Sequence, residues 1–314
     1  MIRGKRFQNR VTTGRLTLPA AIFMAVIGWV TAALVLPFHS DTTGRIGAFL
    51  LYGLTGYLLV VLNNAFAFIR MRASVQTAVY FLLTASCPML HQFQWTDLQV
   101  LCFLPALFFL FRSYQRPAPM GDLFHAFVFI GAGSLLSPKL TLLVPVFWIG
   151  AYSFQSLRIR SFLASLLGWF LPYWFLLVYA CWQGQMELFC RPFRELADFP
   201  PADFAFLPWQ WATLGYLLLL YVVSVAHCLA TGYEDKIRTR AYLNFLSLLC
   251  LVLFAGMLLM PPLFGEILPL VLATAGILYG HLFALSNSRL SNVFFICALV
   301  GLLLLFGYNV WTLL

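Results

Sequence analysis

The residues best suited to chemistry stand in short polar segments between long apolar blocks. His39 and Asp41 share one such segment, and His91 and Asp97 another. A carboxylate can take a proton from an incoming hydroxyl or hold a divalent cation. An imidazole, with an ordinary pKa of about 6.5, can shuttle that proton. These four are the candidate catalytic residues. Asp97 directly precedes an apolar run, so it can equally cap a helix. Asp41 stands several residues before one and carries the same alternative. A second set is cationic: Arg191 and Arg194 in the stretch 183–208, and Lys139 after the Gly131-Ala132-Gly133 run. Arginine grips a phosphate with two parallel N–H groups, so these three are candidates for a lipid phosphate. Met186, Phe189, Phe193 and Leu196 recur at helical spacing, which predicts an amphipathic interfacial helix over 186–197. Asn63-Asn64, His125, His227 and His281 read as packing or snorkelling residues. The sequence carries no Walker A, HExxH or GxSxG pattern and no Cys/His metal spacing. No metal site is assigned, and the cofactor stays open apart from a divalent cation on the carboxylates.

The elements that must position these groups follow from composition. The chain of 314 residues is 62% hydrophobic and 9% charged. Soluble domains carry about 25% charged residues, so this chain cannot keep its outside wet. Its apolar blocks fall near the roughly 20 residues that a spanning helix needs. The reading is an all-α polytopic transmembrane bundle of about eleven helices: 18–37, 46–69, 74–90, 97–111, 121–137, 140–156, 162–182, 209–231, 241–260, 266–286 and 291–312. Residues 1–17 form a basic cytoplasmic tail, and 183–208 the main extracytoplasmic loop of a single membrane domain, 1–314. The first apolar block is too long for a signal-peptide core and reads as a retained helix.

The net charge of +9 raises nucleic acid as a partner. The positive residues, however, sit in short clusters between apolar blocks, where the positive-inside rule places them. This layout leaves only Arg45, Lys139, Arg191 and Arg194 outside. Asp41, Asp97, Glu187, Glu195, Asp198, Asp203 and Glu266 also fall outside, so the outer face is chemically distinct. The seven cysteines are scattered, and a Cys181–Cys190 disulfide can form if their loop is periplasmic.

A resemblance covers residues 46–175. Leu62-Asn63-Asn64 leading to Arg70-Met71-Arg72, Pro88 before a polar turn, Gly131 through Pro138, Arg158 to Arg160, Gly168 and Leu171-Pro172 resemble an uncharacterised family of polytopic membrane proteins from Bacteroidota. More distantly, the stretch is similar to the GT-C glycosyltransferases. That likeness implies use of a polyprenyl-phosphate-linked sugar on the outer face, with Asp41 matching the first-loop acid and Asp97 the second. Only about seven residues separate the first two helices here, whereas that family normally holds amphipathic helices in this loop.

The leading expectation is therefore a GT-C-like transferase of envelope glycan or lipid assembly in a bacterial inner membrane. Polyprenyl phosphate would lie near Arg191, Arg194 or Lys139, and membrane lipids would be the surrounding partners. The alternative is a non-catalytic scaffold or assembly partner of an envelope protein complex. A small-molecule or lipid transporter ranks third, because no charge stands clearly at a helix midpoint and no repeat is evident.

Overall fold

Each apolar block of the sequence becomes helix. The computed structural model describes residues 7–36, 42–69, 74–199, 204–286 and 288–314. Among these residues there is no strand. The helices are α1 (Phe7–Thr12), α2 (Thr17–Val35), α3 (Thr42–Phe66), α4 (Val75–Ala85), α5 (Gln99–Arg112), α6 (Met120–Leu136) and α7 (Val144–Ser153). They continue as α8 (Ile159–Gln183), α9 (Met186–Ala197), α10 (Pro208–Thr231), α11 (Ile237–Leu259), α12 (Phe264–Leu285) and α13 (Arg289–Leu313).

Eight stretches among the described residues are long and apolar enough to cross a membrane: α2, α3, α8, α11, α13, α10 with the turn after it, and α5 and α12 each with the turn before it. On length and composition the chain is a multi-pass α-helical membrane protein. Two of the eleven expected spans, α4 and α7, with 11 and 10 residues, are shorter than a spanning helix, and α6, with 17, stands at the lower limit. Proline explains the two short ones. Cys87 precedes Pro88 and lies at φ −113°, ψ 81°, because the proline ring disfavours a helical residue before it. Helix α4 therefore stops at Ala85, and a 3₁₀ turn, Pro88–His91, follows. Pro138 likewise opens a 3₁₀ turn, Pro138–Leu143, ahead of α7.

Contacts divide the chain into two compact units, Met1–Phe93 with Asp203–Leu314, and Gln94–Ala202. The first unit is built around α12, which packs against α4, α10 and α11. From Leu268 to Ala284 every residue of α12 is buried. In lipid, helices associate through small residues and interhelical hydrogen bonds, and α12 uses both. A Cβ at Gly280 would stand 2.6 Å from the Cα of Gln76 on α4. Tyr279 donates its hydroxyl to the Leu217 carbonyl of α10 at 2.6 Å. Asn309 of α13 donates to the Ser86 carbonyl at 2.9 Å and to Thr213 Oγ1 at 3.2 Å. The N-terminal segment joins this unit through α1. The buried Gln8 side chain donates to the Phe283 and Ser286 carbonyls at 2.8 and 3.1 Å, which α12 leaves without partners at its end.

The second unit is organised by α6 and α8, which run parallel and nearly touch backbones. A Cβ at Gly131 would meet the Trp169 carbonyl oxygen at 2.5 Å, and one at Gly168 would collide with the Phe124 carbonyl. Farther along the pair, Ser134 and Tyr173 share a hydrogen bond of 2.8 Å. Helix α9 folds back onto α8 and the 3₁₀ turn Pro138–Leu143.

Candidate functional site

His39 and Asp41 lie outside the described residues. Of the other catalytic candidates, His91 belongs to the first unit and Asp97 to the second.

His91 ends the 3₁₀ turn after α4 and stacks on Trp29 of α2, with ring centroids 3.8 Å apart and planes 19° apart. Trp29 also meets Phe49 edge-on at 5.5 Å. His91 is 5% exposed. Neither of its nitrogens makes a well-formed hydrogen bond with a described residue. Burial drives its pKa down to about 3, against a partial upward pull from the Thr84 carbonyl, and the Arg45 charge adds to the fall. A ring held neutral at pH 7 keeps one N–H donor and one acceptor nitrogen, but it cannot act as the cationic acid. Arg45, at the same end, donates to the Ala33 carbonyl at 3.0 Å in the last turn of α2.

Asp97 sits in the turn Trp95–Leu98 ahead of α5 and is 3% exposed. Its Oδ2 accepts the Gln94 N–H at 2.9 Å. It therefore closes this turn from the third position, reaching back in the manner of a capping box, rather than as the first capping residue.

The structure brings the three cationic candidates to one helix. Helix α9 spans Met186–Ala197, the stretch that the apolar stripe marks out. Phe193 of that stripe packs on Tyr173 of α8 at 5.2 Å. On the outer face Arg191 Nε meets Glu195 Oε1 at 2.6 Å, and Arg194 Nη1 meets Glu187 Oε1 at 3.1 Å. Both guanidiniums are more than 70% exposed, so water screens these pairs strongly. Lys139 lies at the C-terminal end of the helix. Its Nζ donates to the Leu196 carbonyl at 3.2 Å and to the Asp198 carbonyl, and it stands 4.3 Å from the Phe199 ring centroid. A cation over the last carbonyls of a helix satisfies orphan acceptors and opposes the negative end of the dipole. Cys181 and Cys190, on either side of the α8–α9 turn, are both exposed free thiols.

Two further clusters escaped sequence reasoning. In the first unit His281 Nε2 stands 3.3 Å from Asp235 Oδ2, with both side chains buried. Cys228 Sγ is 3.7 Å from the other ring nitrogen. The sequence offers no signal for this pairing, because Asp235 sits in the turn before α11 and His281 near the end of α12. In the second unit Arg112 and Arg116 converge on the buried Asp122. Among the described residues, no group of three or more His, Cys, Asp or Glu side chains could hold a metal ion. No protein-family model, curated protein or solved structure matches this chain.

Proposed function

We propose that this protein is a non-catalytic membrane scaffold, an assembly partner within an envelope complex. It would sit in a bacterial inner membrane with its basic N-terminal segment cytoplasmic. One observation carries this reading: the described carboxylate and cationic candidates already have partners in their own segment or in the helix they cap. Asp97 closes the turn before α5, and Lys139 caps α9. Arg191 and Arg194 each face a glutamate of their own helix. The exposed flanks of α13, including Leu290, Leu303, Leu304 and Trp311, leave a broad apolar face for lipid or a partner helix.

A second reading keeps the GT-C-like transferase. It is favoured by the buried His91, whose nitrogens make no well-formed hydrogen bond with a described residue and whose ring feels the Arg45 charge. In that reading Asp41 or Asp97 would serve as base or hold a divalent cation, and His39 would relay a proton. Lys139, Arg191 and Arg194, gathered at α9, would receive the phosphate of a polyprenyl-linked donor.

One experiment separates the two. A strain depending on this protein is complemented with the Asp41→Asn/Asp97→Asn double variant, and the protein is purified in mild detergent. The scaffold reading predicts full complementation and a co-purifying protein at fixed stoichiometry. Lost complementation by a variant that accumulates and melts like the wild type would overturn it in favour of the transferase.

A further inference from the structure

Charge is unevenly placed at the end of the second unit where α5 finishes and α6 begins. Asp122, in the first turn of α6, is 5% exposed. Arg112 Nε donates to its Oδ1 at 2.6 Å, and Nη2 of the same arginine lies 2.5 Å from that oxygen. Arg116 Nη1 is 3.2 Å from Oδ2. One carboxylate thus hydrogen-bonds Arg112 and stands at ion-pair distance from Arg116.

The turn after α5 is tied to the turn after α7. Gln115 N–H donates to the Phe154 carbonyl at 3.0 Å, and Ser113 Oγ donates to Ser156 Oγ at 3.1 Å. These bonds bring the 157–160 stretch, with exposed Arg158 and Arg160, to the same end. Four arginines therefore share this end with one acid. The other described acids of the unit, Asp97, Glu187, Glu195 and Asp198, belong to segments at the opposite ends of α5 and the α6–α8 pair.

Asp122 takes only part of what the two arginines offer. Each guanidinium carries five N–H donors, and three of the ten face the carboxylate. Both arginines are partly exposed, at 38% and 51%. Arg112 is braced further by the Phe109 ring, 4.6 Å away. Arginines fixed in this way have less freedom to lose when an anion arrives. Exposed Met120, Tyr152 and Ile159 stand at the same end, so charged groups and large apolar side chains meet where the helices begin. Basic sites between membrane helices bind anionic headgroups by this combination.

We propose that this end of the second unit binds the phosphate of an anionic phospholipid headgroup. Arg112 and Arg116, positioned by Asp122, hold the phosphate; Arg158 and Arg160 add attraction; the acyl chains lie along the apolar flanks of α6 and α8. The proposal rests only on the chain being a membrane protein, and holds for a scaffold or a transferase alike.

The test is native mass spectrometry of the full-length protein in mild detergent, titrated with phosphatidylglycerol and, separately, phosphatidylcholine. Wild type should retain one phosphatidylglycerol under activation that strips phosphatidylcholine. Arg116→Gln/Arg158→Gln leaves the Arg112–Asp122 pair intact and should weaken phosphatidylglycerol binding about tenfold or more, given two basic residues near the surface. If that variant melts early, Arg158→Gln/Arg160→Gln, which breaks no described ion pair, should show the same direction of loss. Equal retention of the two lipids, or undiminished phosphatidylglycerol binding by a folded variant, would overturn the site. Displacement of the lipid by inorganic phosphate at equal concentration would assign the arginines to a free anion instead and overturn the lipid reading.

Discussion

Gly280→Ala is the sharpest perturbation of the first unit. The added Cβ would stand 2.6 Å from Gln76 Cα, 2.7 Å from its Cβ and 2.8 Å from its nitrogen. Two of these three atoms are backbone, so no side-chain rotation relieves the clash, and α4 must move away from α12. Overpacking of a tight core costs about 1–3 kcal/mol, and contact with backbone places this site at the upper end. Gln76 also donates from Nε2 to the Leu59 carbonyl of α3 at 2.8 Å. An interhelical hydrogen bond in a membrane protein is worth about 0.6–1.7 kcal/mol, and moving α4 strains it. The expected loss is about 2–4 kcal/mol, or a fall in Tm of about 3–6 °C at this chain length. The assay is far-UV circular dichroism of detergent-purified protein at a fixed scan rate. Gly265→Ala is the control on the same helix, because nothing lies within 4 Å of its added Cβ. Alanine is the better helix former there, so the control should melt with or slightly above the wild type. A Gly280→Ala protein melting with the wild type, or a control falling equally far, would refute the close-approach argument.

Two further outcomes follow from the charged and polar groups. The folded His91 pKa, about 3, lies below its ordinary value of 6.5. The unfolded chain therefore binds this proton more readily, and stability is full above pH 6.5 and drains away as pH falls toward 3. The loss from this residue should reach about 2 kcal/mol at pH 5; His91→Phe, which keeps the Trp29 stack, should flatten that dependence in a melting series across pH, and an unchanged slope would count against the assignment. Lys139→Met removes the donor to the carbonyls at the end of α9, at about 1–1.5 kcal/mol. Trypsin cleavage after Arg194 should then quicken about tenfold if local opening of α9 limits it, whereas equal cleavage rates would show that Lys139 does not hold the helix.

The helices were legible because a membrane imposes its period on composition. Every apolar block became helix, and the stripe of Met186, Phe189, Phe193 and Leu196 marked α9 to the residue. The helix stops were harder. The apolar run 74–90 hides the break before Pro88, because a proline acts on the backbone of Cys87 without changing hydropathy. The closeness of α6 and α8 could be anticipated from Gly131, but its counterpart Gly168 could be paired with it only in three dimensions. The site was less legible still. Asp97 could be recognised as a capping residue, yet its place depends on a 3₁₀ turn that the sequence does not announce. Arg191 and Arg194 were visible as exposed cations, while their pairing with Glu195 and Glu187 depended on the face of α9 each residue takes. Asp122 and Asp235 drew no attention because their partners come from other helices.

The account rests most directly on the second unit having two faces, with the arginine-bearing turns on one side of the membrane and α9 on the other. Labelling with a membrane-impermeant maleimide tests this in two single-cysteine proteins. One retains only Cys190, exposed on α9. The other carries only Ala118→Cys, in the exposed turn between Arg116 and α6. The account predicts that Cys190 is labelled in intact spheroplasts and that the Ala118→Cys protein is labelled only after permeabilisation. Labelling of both from the same side would contradict it.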